Sequence, residues 1–254
     1  MSTKHWFLKN CDLFEQLDDD ELARVESRSR TRDFPRKTPI YLPADQADGV
    51  LLMVSGRAKI GSLTPEGKQS ILAFIEPGEL FGELALVDGS ERDEYAEAVE
   101  DSKVVLIPAN EMNRLIAAYP EFSLGITKLM GLRRQRIERR LKYLLYRSNR
   151  ERLVHLLLEL AEQYGRPAAD GLVLGIKLSH QDLASVIGAT RETVTVTLGE
   201  LQAQRLILVG RRKITLINPQ RLARTVGKEL PRPTQTEDRV TKFSSPELPR
   251  PARL

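Results

Sequence analysis

The stretch from Ser179 to Leu206 constrains the fold of this chain more than any other. Two short helical patterns meet there at Gly188, and Ser179 and Thr190 stand where an N-cap oxygen would satisfy a free backbone N–H. Glycine accepts the positive φ of a tight turn, and small Ala184 lets two steeply crossed helices approach each other. The spacing predicts a helix-turn-helix motif. An ordinary helical hairpin in a core is the alternative, but the second helix keeps a polar face, which carries Arg191, Glu192 and Thr195.

The net charge of +4 conceals a strong asymmetry between the two halves of the chain. Residues 1–120 carry 14 basic and 22 acidic side chains, net −8, whereas residues 121–254 carry 25 and 13, net +12. A basic half that contains a helix-turn-helix pattern has the electrostatics expected of a protein that binds the phosphate backbone of DNA. The 254 residues are enough for two domains with sizeable cores.

Several classes of protein are disfavoured by composition. No apolar run approaches the ~20 residues that span a bilayer, and the N-terminus lacks an apolar signal core, so we expect a cytoplasmic protein that does not contact membrane. The single cysteine, Cys11, excludes an internal disulfide, and the three histidines show no metal-ligand spacing, so no metal site is predicted. No nucleophile–base pair or Walker-type loop is present, which argues against an enzyme.

Short apolar or alternating runs, separated by turn residues, fill residues 32–107. The segments Pro65-Glu66-Gly67 and Pro77-Gly78 are typical of tight turns. Several strands of this length predict a small antiparallel barrel or jelly roll, which can hold one small ligand. Short helices are expected before it, within residues 4–30, and after it, from Asn110 to Tyr119. The predicted strands are 40–42, 50–54, 58–60, 71–75 and 104–107.

A long helix is predicted from Glu121 to about Tyr146, where no proline occurs. Met130, Ile137 and Leu144 repeat every seven residues, so an apolar seam runs along this helix. A homodimeric coiled coil would cover the seam, and packing against the chain itself is the alternative. The expected dimer-interface residues are Ile126, Met130, Ile137, Leu141 and Leu144.

The remaining patterns complete a division into four parts. Residues 150–164 form an amphipathic helical pattern, and residues 165–171 are predicted to be a loop rich in Gly, Pro and Asp. Two apolar runs flank the basic tip at 211–213, which predicts a hairpin, or wing, over DNA phosphates, with a solvated turn as the alternative. The predicted domains are an effector-sensing barrel with flanking helices at 1–120, a dimerisation helix at 121–147, a winged helix-turn-helix at 148–226 and a Pro-rich, polar, disordered tail at 227–254.

Residues 190–194 read Thr-Arg-Glu-Thr-Val, and residues 77–86 read PGELFGELAL and are followed by Arg92. With these two motifs the chain resembles the CRP/FNR superfamily of bacterial transcription regulators. The first motif matches the start of the family's recognition helix, and the second matches its phosphate-binding cassette. The resemblance covers residues 8–220. It implies an α+β fold with a cyclic-nucleotide-binding-type β-barrel or jelly roll, a long dimerisation helix and a C-terminal winged helix-turn-helix.

The resemblance also implies a function. The chain would be a homodimeric transcription regulator that binds a palindromic, TGT-like site in double-stranded DNA, is controlled by an effector in the barrel and acts with RNA polymerase. The alternative is a small-molecule-binding module whose winged helix docks onto a protein and not onto DNA. Base contacts are expected from Arg191, Glu192, Thr195 and Val196, and phosphate contacts from Ser179, His180, Gln181, Thr190, Arg211, Arg212 and Lys213.

Val196 departs from the family pattern. Cyclic-AMP receptor proteins place a second arginine at this position of the recognition helix, and valine offers only an apolar contact. We therefore expect an altered preference at the base pair that this arginine would read, worth ~1–3 kcal/mol of discrimination.

The cassette has a physical logic of its own. Gly82 permits close approach of the backbone to a ligand, Glu83 can accept a hydrogen bond from a ribose hydroxyl, and Arg92 can pair with a cyclic phosphate. If no ligand binds, an ion pair between Glu83 and Arg92 is the alternative. The expected effector-binding residues are Gly82, Glu83, Leu84, Ala85, Arg92, Asp93, Arg133, Ile137 and Glu138.

The chain differs from the cyclic-AMP pattern at four positions. Asp93 would place a carboxylate near a bound phosphate, and Glu94 replaces a small apolar residue. Ile137 and Glu138 lack the hydroxyl expected at the adenine-contacting positions. These differences favour another nucleotide, or an organic acid such as 2-oxoglutarate held by arginines, over cyclic AMP, so a cyclic nucleotide or other small anionic effector is expected. Haem and an iron–sulfur cluster are not expected, because the required cysteines and ligand histidines are missing.

Overall fold

The computed structural model describes residues 8, 11–15, 17–87, 91–211 and 213–228. Arg212 and the part of the predicted tail from residue 229 onward lie outside this set. The chain forms two compact units, Met1–Arg147 with Leu178–Val194, and Ser148–Lys177 with Thr195–Leu254.

Two four-stranded antiparallel sheets build the barrel of the first unit, in the orders β1-β8-β3-β6 and β2-β7-β4-β5. Alternation of side chains along the strands places Met53, Ile60 and Ile75 in the core that the two sheets share. The strands are β1 (Arg30–Phe34), β2 (Pro39–Tyr41), β3 (Gly49–Ser55), β4 (Ala58–Leu63), β5 (Gln69–Ile75), β6 (Leu80–Phe81), β7 (Tyr95–Ala98) and β8 (Ser102–Pro108).

Helices on both sides of the barrel in the sequence share a second core. Helix α1 (Asp19–Arg28) begins where the side chain of Asp18 accepts a hydrogen bond from the backbone N–H of Glu21 at 2.8 Å. Helix α2 (Ala109–Ala118) follows β8 directly. Phe14, Met112 and Phe122 are buried together against the outer side of β3 and β8, which fixes the helices on that sheet.

The long helix α3 (Pro120–Tyr146) begins with proline at its first position, where a missing N–H costs nothing. The prediction of a long helix is confirmed, but one of its seam residues was assigned wrongly. Ile126 is only 7% exposed and lies in the core of its own unit, because the first turns of α3 pack against the N-terminal segment. Met130, Ile137, Leu141 and Leu144 remain 37–53% exposed.

The second unit contains helix α4, a four-stranded sheet and a final short helix. Helix α4 (Asn149–Tyr164) begins with a capping box between Ser148 and Glu151. The sheet has the order β11-β12-β10-β9. Its strands are β9 (Gly165–Ala168), β10 (Gly171–Leu174), β11 (Ile207–Gly210) and β12 (Lys213–Leu216), and the last helix of the unit lies at Pro219–Arg224.

Two sequence-based expectations for this sheet had different outcomes. The hairpin around residues 211–213 is present as β11 and β12, which confirms the wing as a hairpin. The expectation of a loop at 165–171 is wrong, because residues 165–168 form β9. Pro167 is compatible with β9 since an edge strand needs no ladder bond from one of its N–H positions.

The helix-turn-helix consists of α5 (His180–Ile187) and α6 (Arg191–Ala203). Gly188 ends α5 in the left-handed region, with φ 65°. Thr190 precedes α6, and its Oγ1 accepts a hydrogen bond from the backbone N–H of Thr193 at 3.2 Å. The two predicted helices, their caps and the glycine turn are therefore confirmed.

Candidate functional site

Arg92 gives the cassette its shape. Arg92 is only 6% exposed, and its guanidinium donates from Nη1 to the carbonyl oxygen of Gly82 at 2.8 Å and from Nη2 to that of Gly49 at 2.7 Å. Gly82 adopts φ 68°, and a Cβ there would lie 2.4 Å from Nη1 of Arg92. Glycine is thus required at position 82 both by its backbone conformation and by the arginine beside it.

Tyr41 is a part of this site that the sequence reasoning missed. The Arg92 guanidinium carbon lies 4.6 Å from the centroid of the Tyr41 ring, within the range of a cation–π interaction. The Nε atom of Arg92 is buried and has no acceptor in the part of the chain that the structure describes. One donor of this arginine is therefore still available for a ligand.

Glu83 pairs with Arg133 and not with Arg92. The guanidinium of Arg133, on α3, donates to the Glu83 carboxylate and to the carbonyl oxygen of Leu80. The side chains of Glu83 and Arg133 are 10% and 15% exposed, so each charge depends on the other for its compensation. The ion pair connects the cassette to the long helix.

Glu94, and not Asp93, is the acidic residue that enters the site. Asp93 is exposed, whereas Glu94 is half-buried and accepts a hydrogen bond from the Tyr41 hydroxyl at 2.7 Å. Burial raises the pKa of the Glu94 carboxyl, and the charge of Glu83 raises it further, although Tyr41, Arg133 and Arg92 oppose the shift. Burial and then Glu94 also hold the pKa of Tyr41 far above its ordinary value.

A cavity of about 230 Å³ lies inside the barrel beside Arg92. Apolar side chains of β1, β2, β3 and β8 line part of it, and polar and charged side chains line the rest. The lining residues are Arg32, Phe34, Ile40, Tyr41, Asp45, Gln46, Asp48, Leu51, Arg92, Val104 and Leu106.

The structure brings together only some of the expected effector-binding residues. Gly82, Glu83, Arg92 and Arg133 form one cluster, as described above, and Ala85, two residues after Glu83, is buried. Exposed residues include Leu84, at 47%, and Ile137, at 45%. Glu138 accepts a hydrogen bond at 2.8 Å from Arg134 on the same helix, on the exposed surface.

Helices α5 and α6 of the helix-turn-helix both carry exposed polar residues at their N-terminal turns. At α5, Ser179 Oγ accepts from the Asp182 N–H at 3.1 Å, and Asp182 Oδ2 accepts from the Ser179 N–H at 2.9 Å. Gln181 is exposed and His180 half-buried. The expected base-contacting residues Arg191, Glu192, Thr195 and Val196 are all exposed, as are Thr190 and the wing residues Arg211 and Lys213.

Both the barrel with its cassette and the helix-turn-helix match known protein families. Residues 31–119 match the cyclic nucleotide-binding domain family, and residues 151–225 match the Crp-like helix-turn-helix domain family. The chain is 32% identical over 215 residues to the global nitrogen regulator of Nostoc sp., covering 81% of this chain and 96% of the relative. It is 25% identical over 217 residues to the CRP-like cAMP-activated global transcriptional regulator of Mycobacterium tuberculosis, covering 85% and 97%.

A solved structure agrees with the sequence relatives. The CRP/FNR family transcriptional regulator of Thermus thermophilus shares 28% identity with this chain at a TM-score of 0.66, over 78% of this chain and 99% of that one. A barrel of the cyclic nucleotide-binding domain family and a Crp-like helix-turn-helix in one chain, with relatives that are transcription regulators, define an effector-controlled, DNA-binding transcription regulator and not an enzyme. The chain belongs to the CRP/FNR family.

The described residues contain neither a candidate metal-binding group nor a candidate membrane-spanning helix. In residues 8 to 228, apart from the gaps named above, no three His, Cys, Asp or Glu side chains are grouped so as to hold a metal ion. Within the same ranges, none of the helices is both long enough and apolar enough to cross a membrane.

Proposed function

We propose that the chain regulates transcription as a homodimer that reads a palindromic, TGT-like DNA site through α6. The observation that carries the proposal is the exposure of Arg191 and Glu192 on the first turn of a helix whose N-terminus is capped by Thr190. In the major groove, arginine can bond guanine O6 and N7, and glutamate can accept from cytosine N4. Arg191 and Glu192 are the main base readers, with Thr195 and Val196 adding contacts one turn further on.

Phosphate contacts position this helix without reading sequence. We assign them to the start of α5 and to the wing, where the exposed or half-exposed side chains are polar or basic. Two-fold symmetry then places the half-sites ~10 bp apart or a close multiple of that distance. The proposed phosphate-contacting residues are Ser179, His180, Gln181, Thr190, Arg211, Lys213 and, outside the described residues, Arg212.

The exposed stripe of α3 supports the dimer. Met130, Ile137, Leu141 and Leu144 are separated by seven, four and three residues, so they follow one face of the helix. Each is more than a third exposed within the single chain. A second copy of the same helix would cover this face.

The proposed effector is small and anionic, and it binds between the cassette and α3. Two observations support this: the buried Arg92 Nε lacks an acceptor among the described residues, and Arg133 reaches the cassette from α3. The carboxylates of Glu83, which is buried, and Glu94, which is half-buried, would repel a cyclic phosphate that approached both of them. By similarity to the mycobacterial relative, whose name describes it as cAMP-activated, cyclic AMP still belongs in the panel of ligands to be tested.

DNA binding is tested by selecting bound sequences from a random pool and titrating the full chain against the recovered site at several salt concentrations. We expect a palindrome and a steep fall of affinity with salt, because several phosphates are neutralised. No sequence-specific binding at low salt would overturn the proposal. In that case the winged helix would be a protein-docking element, as in the alternative given above.

The effector is tested by calorimetry with cyclic AMP, cyclic GMP, cyclic di-GMP and 2-oxoglutarate, and by mass spectrometry of small molecules retained on purification. We expect saturable binding of an anionic ligand that changes the affinity of the chain for the selected DNA. Contact with RNA polymerase, which we also propose, is tested by transcription in vitro from a promoter that carries the selected site.

A further inference from the structure

Lys59 is buried on the outer side of the barrel, where a lysine would ordinarily be exposed. Its neighbours in β4, Ala58 and Ile60, face the barrel core, so Lys59 points away from that core. Even so, Lys59 is only 7% exposed, as is Phe74, which lies opposite it on β5. Helix α5 of the helix-turn-helix lies against β5 and covers this face.

Two carboxylates compensate the buried ammonium group. Lys59 Nζ lies 3.0 Å from Oε1 of Glu97, its cross-strand neighbour on β7, and 2.9 Å from Oδ1 of Asp182 on α5. Burial lowers the pKa of Lys59, but the hydrogen bonds and charges of Asp182 and Glu97 outweigh it, so the pKa lies above its ordinary value. Lys59 therefore stays charged, and one of its two partners belongs to the helix-turn-helix.

Asp182 uses its two oxygens for two different purposes. Oδ2 accepts from the N–H and from the hydroxyl of Ser179, which forms the N-terminal cap of α5, while Oδ1 accepts from Lys59. Burial raises the pKa of this carboxyl, but the bonds from Ser179 and Lys59 lower it by more. The start of α5 is thus bonded directly to strand β4.

The other end of α5 lies close to the long helix. A Cβ at Gly188, in the turn after α5, would lie 2.9 Å from Cδ2 of Leu144, so the turn lies against the last part of α3. Helix α5 is therefore bonded to the barrel at its cap and approaches α3 at its turn. Arg191 and Glu192, on the first turn of α6, remain exposed in this arrangement, so the contacts of α5 do not cover them.

We infer that Lys59 is a positioning residue for DNA reading, because its bond to Asp182 fixes α5, and with it the first turn of α6, against the barrel. The inference rests on the DNA-reading function proposed above. On a palindrome, two recognition helices must match the distance between half-sites. A helix-turn-helix that is tied to the barrel keeps one distance, whereas an untied one would accept several.

The experiment compares Lys59→Met with the unmodified chain on three DNA probes. They are the palindrome recovered by selection, the same palindrome with one base pair added or removed at its centre, and a single half-site. We expect Lys59→Met to reduce the preference for the correct spacing at least about fivefold, the lower end of typical coupling between sites. Affinity for the single half-site is expected to stay within about twofold, since Arg191 and Glu192 are untouched.

A second variant and two controls separate positioning from damage to the fold. Asp182→Asn breaks the same bond from the other side, so the double variant should lose no more spacing preference than either single variant. Lys103→Met removes a lysine from an exposed 3.7 Å pair with Asp33 and should leave the spacing preference unchanged. Thermal unfolding and the oligomeric state are recorded for each variant.

The outcomes are distinguishable. An unchanged spacing preference in a folded, dimeric Lys59→Met variant would overturn the inference, and so would an equal loss of affinity on all three probes, since that pattern indicates damage to the reading helix. An unmodified chain that binds none of the probes would instead overturn the proposed function.

Discussion

The carboxylate of Glu83, in the cassette, accepts a hydrogen bond from the guanidinium of Arg133, on the long helix α3. Both side chains are at least 85% buried, and Arg133 also donates to the Leu80 carbonyl oxygen. A ligand that enters beside Glu83 therefore meets a group already joined to α3. The ion pair is therefore the direct connection through which a change at the cassette would reach α3, the helix that carries the proposed dimer face.

The Glu83–Arg133 pair predicts a stability pattern that a surface pair would not show. Arg133→Met leaves the Glu83 carboxylate buried without its partner and is expected to lower the free energy of unfolding by ~3–5 kcal/mol. Adding Glu83→Gln should recover much of that loss, because no unpaired charge remains. Urea denaturation measures both effects.

A matched control lies on the same helix. Arg134 pairs with Glu138 at 2.8 Å, but these side chains are 80% and 52% exposed, so Arg134→Met is expected to cost less than ~0.5 kcal/mol. Equal losses for Arg133→Met and Arg134→Met would contradict the assignment of the Glu83–Arg133 pair as a buried connection.

Because the pKa of the Glu94 carboxyl is raised, we expect the free energy of unfolding to depend on pH. Because burial raises the pKa of Glu94 in the folded chain, the folded state holds its proton to higher pH than the unfolded state. The free energy of unfolding therefore falls as the pH rises from the pKa of Glu94 in the unfolded chain to its higher pKa in the folded chain. Above the higher pKa the loss is complete and no longer changes with pH. Glu94→Gln, which still accepts from Tyr41, should be more stable than the unmodified chain at pH 8, with a smaller difference at pH 4.

Denaturation midpoints measured from pH 4 to pH 8 check this expectation. Asp93→Asn removes an exposed neighbouring carboxylate and is the matched control, from which we expect a smaller change at pH 8. A Glu94→Gln variant that is less stable than the unmodified chain at pH 8 would show that its ionised carboxylate stabilises the site.

Local patterns were sufficient to predict much of the fold. Strands β3 and β8 are continuous apolar runs, and the helix-turn-helix was recognisable from its caps and from Gly188. Strand β1 was missed because its sequence, Arg-Thr-Arg-Asp-Phe, has the apolar content of a loop. Its backbone is nevertheless paired with β8 over five residues, a long-range contact that its own composition does not indicate.

The sequence was sufficient to predict which residues form the effector-site cassette, but not which partners they bond to. The cassette sequence indicated Gly82, Glu83 and Arg92. The sequence gives no sign that Arg92 is directed at the Gly49 carbonyl oxygen or that Glu83 is joined to Arg133, 50 residues away. The burial of Ile126 could not be predicted either. Its heptad position shows that an apolar residue faces a neighbouring surface, but not whether that surface belongs to the same chain or to a partner.

The proposed dimer face is tested by charge substitution on α3. Leu141→Asp would place a carboxylate in the apolar face and is expected to convert the dimer to monomer, or to weaken it by at least about tenfold, since an uncompensated charge would be buried. Leu132 is 57% exposed on another side of the helix and provides the control, because Leu132→Asp should leave the dimer intact. Analytical ultracentrifugation over a concentration range distinguishes the two variants, and dissociation by both would indicate general damage to α3.

Val196 makes a prediction about the DNA sequence that the chain selects. It is 62% exposed on α6, five residues after Arg191, and offers no hydrogen bond to a base. Val196→Arg should create a guanine preference at one base pair of each half-site, worth ~1–3 kcal/mol against the other bases, because arginine bonds guanine O6 and N7 together. Lys213→Ala, in the wing, should instead weaken binding about equally for all sequences and reduce the salt slope by about 1. Selection from a random pool followed by salt titration separates these effects, and a Val196→Arg variant with unchanged preference would remove residue 196 from the reading face.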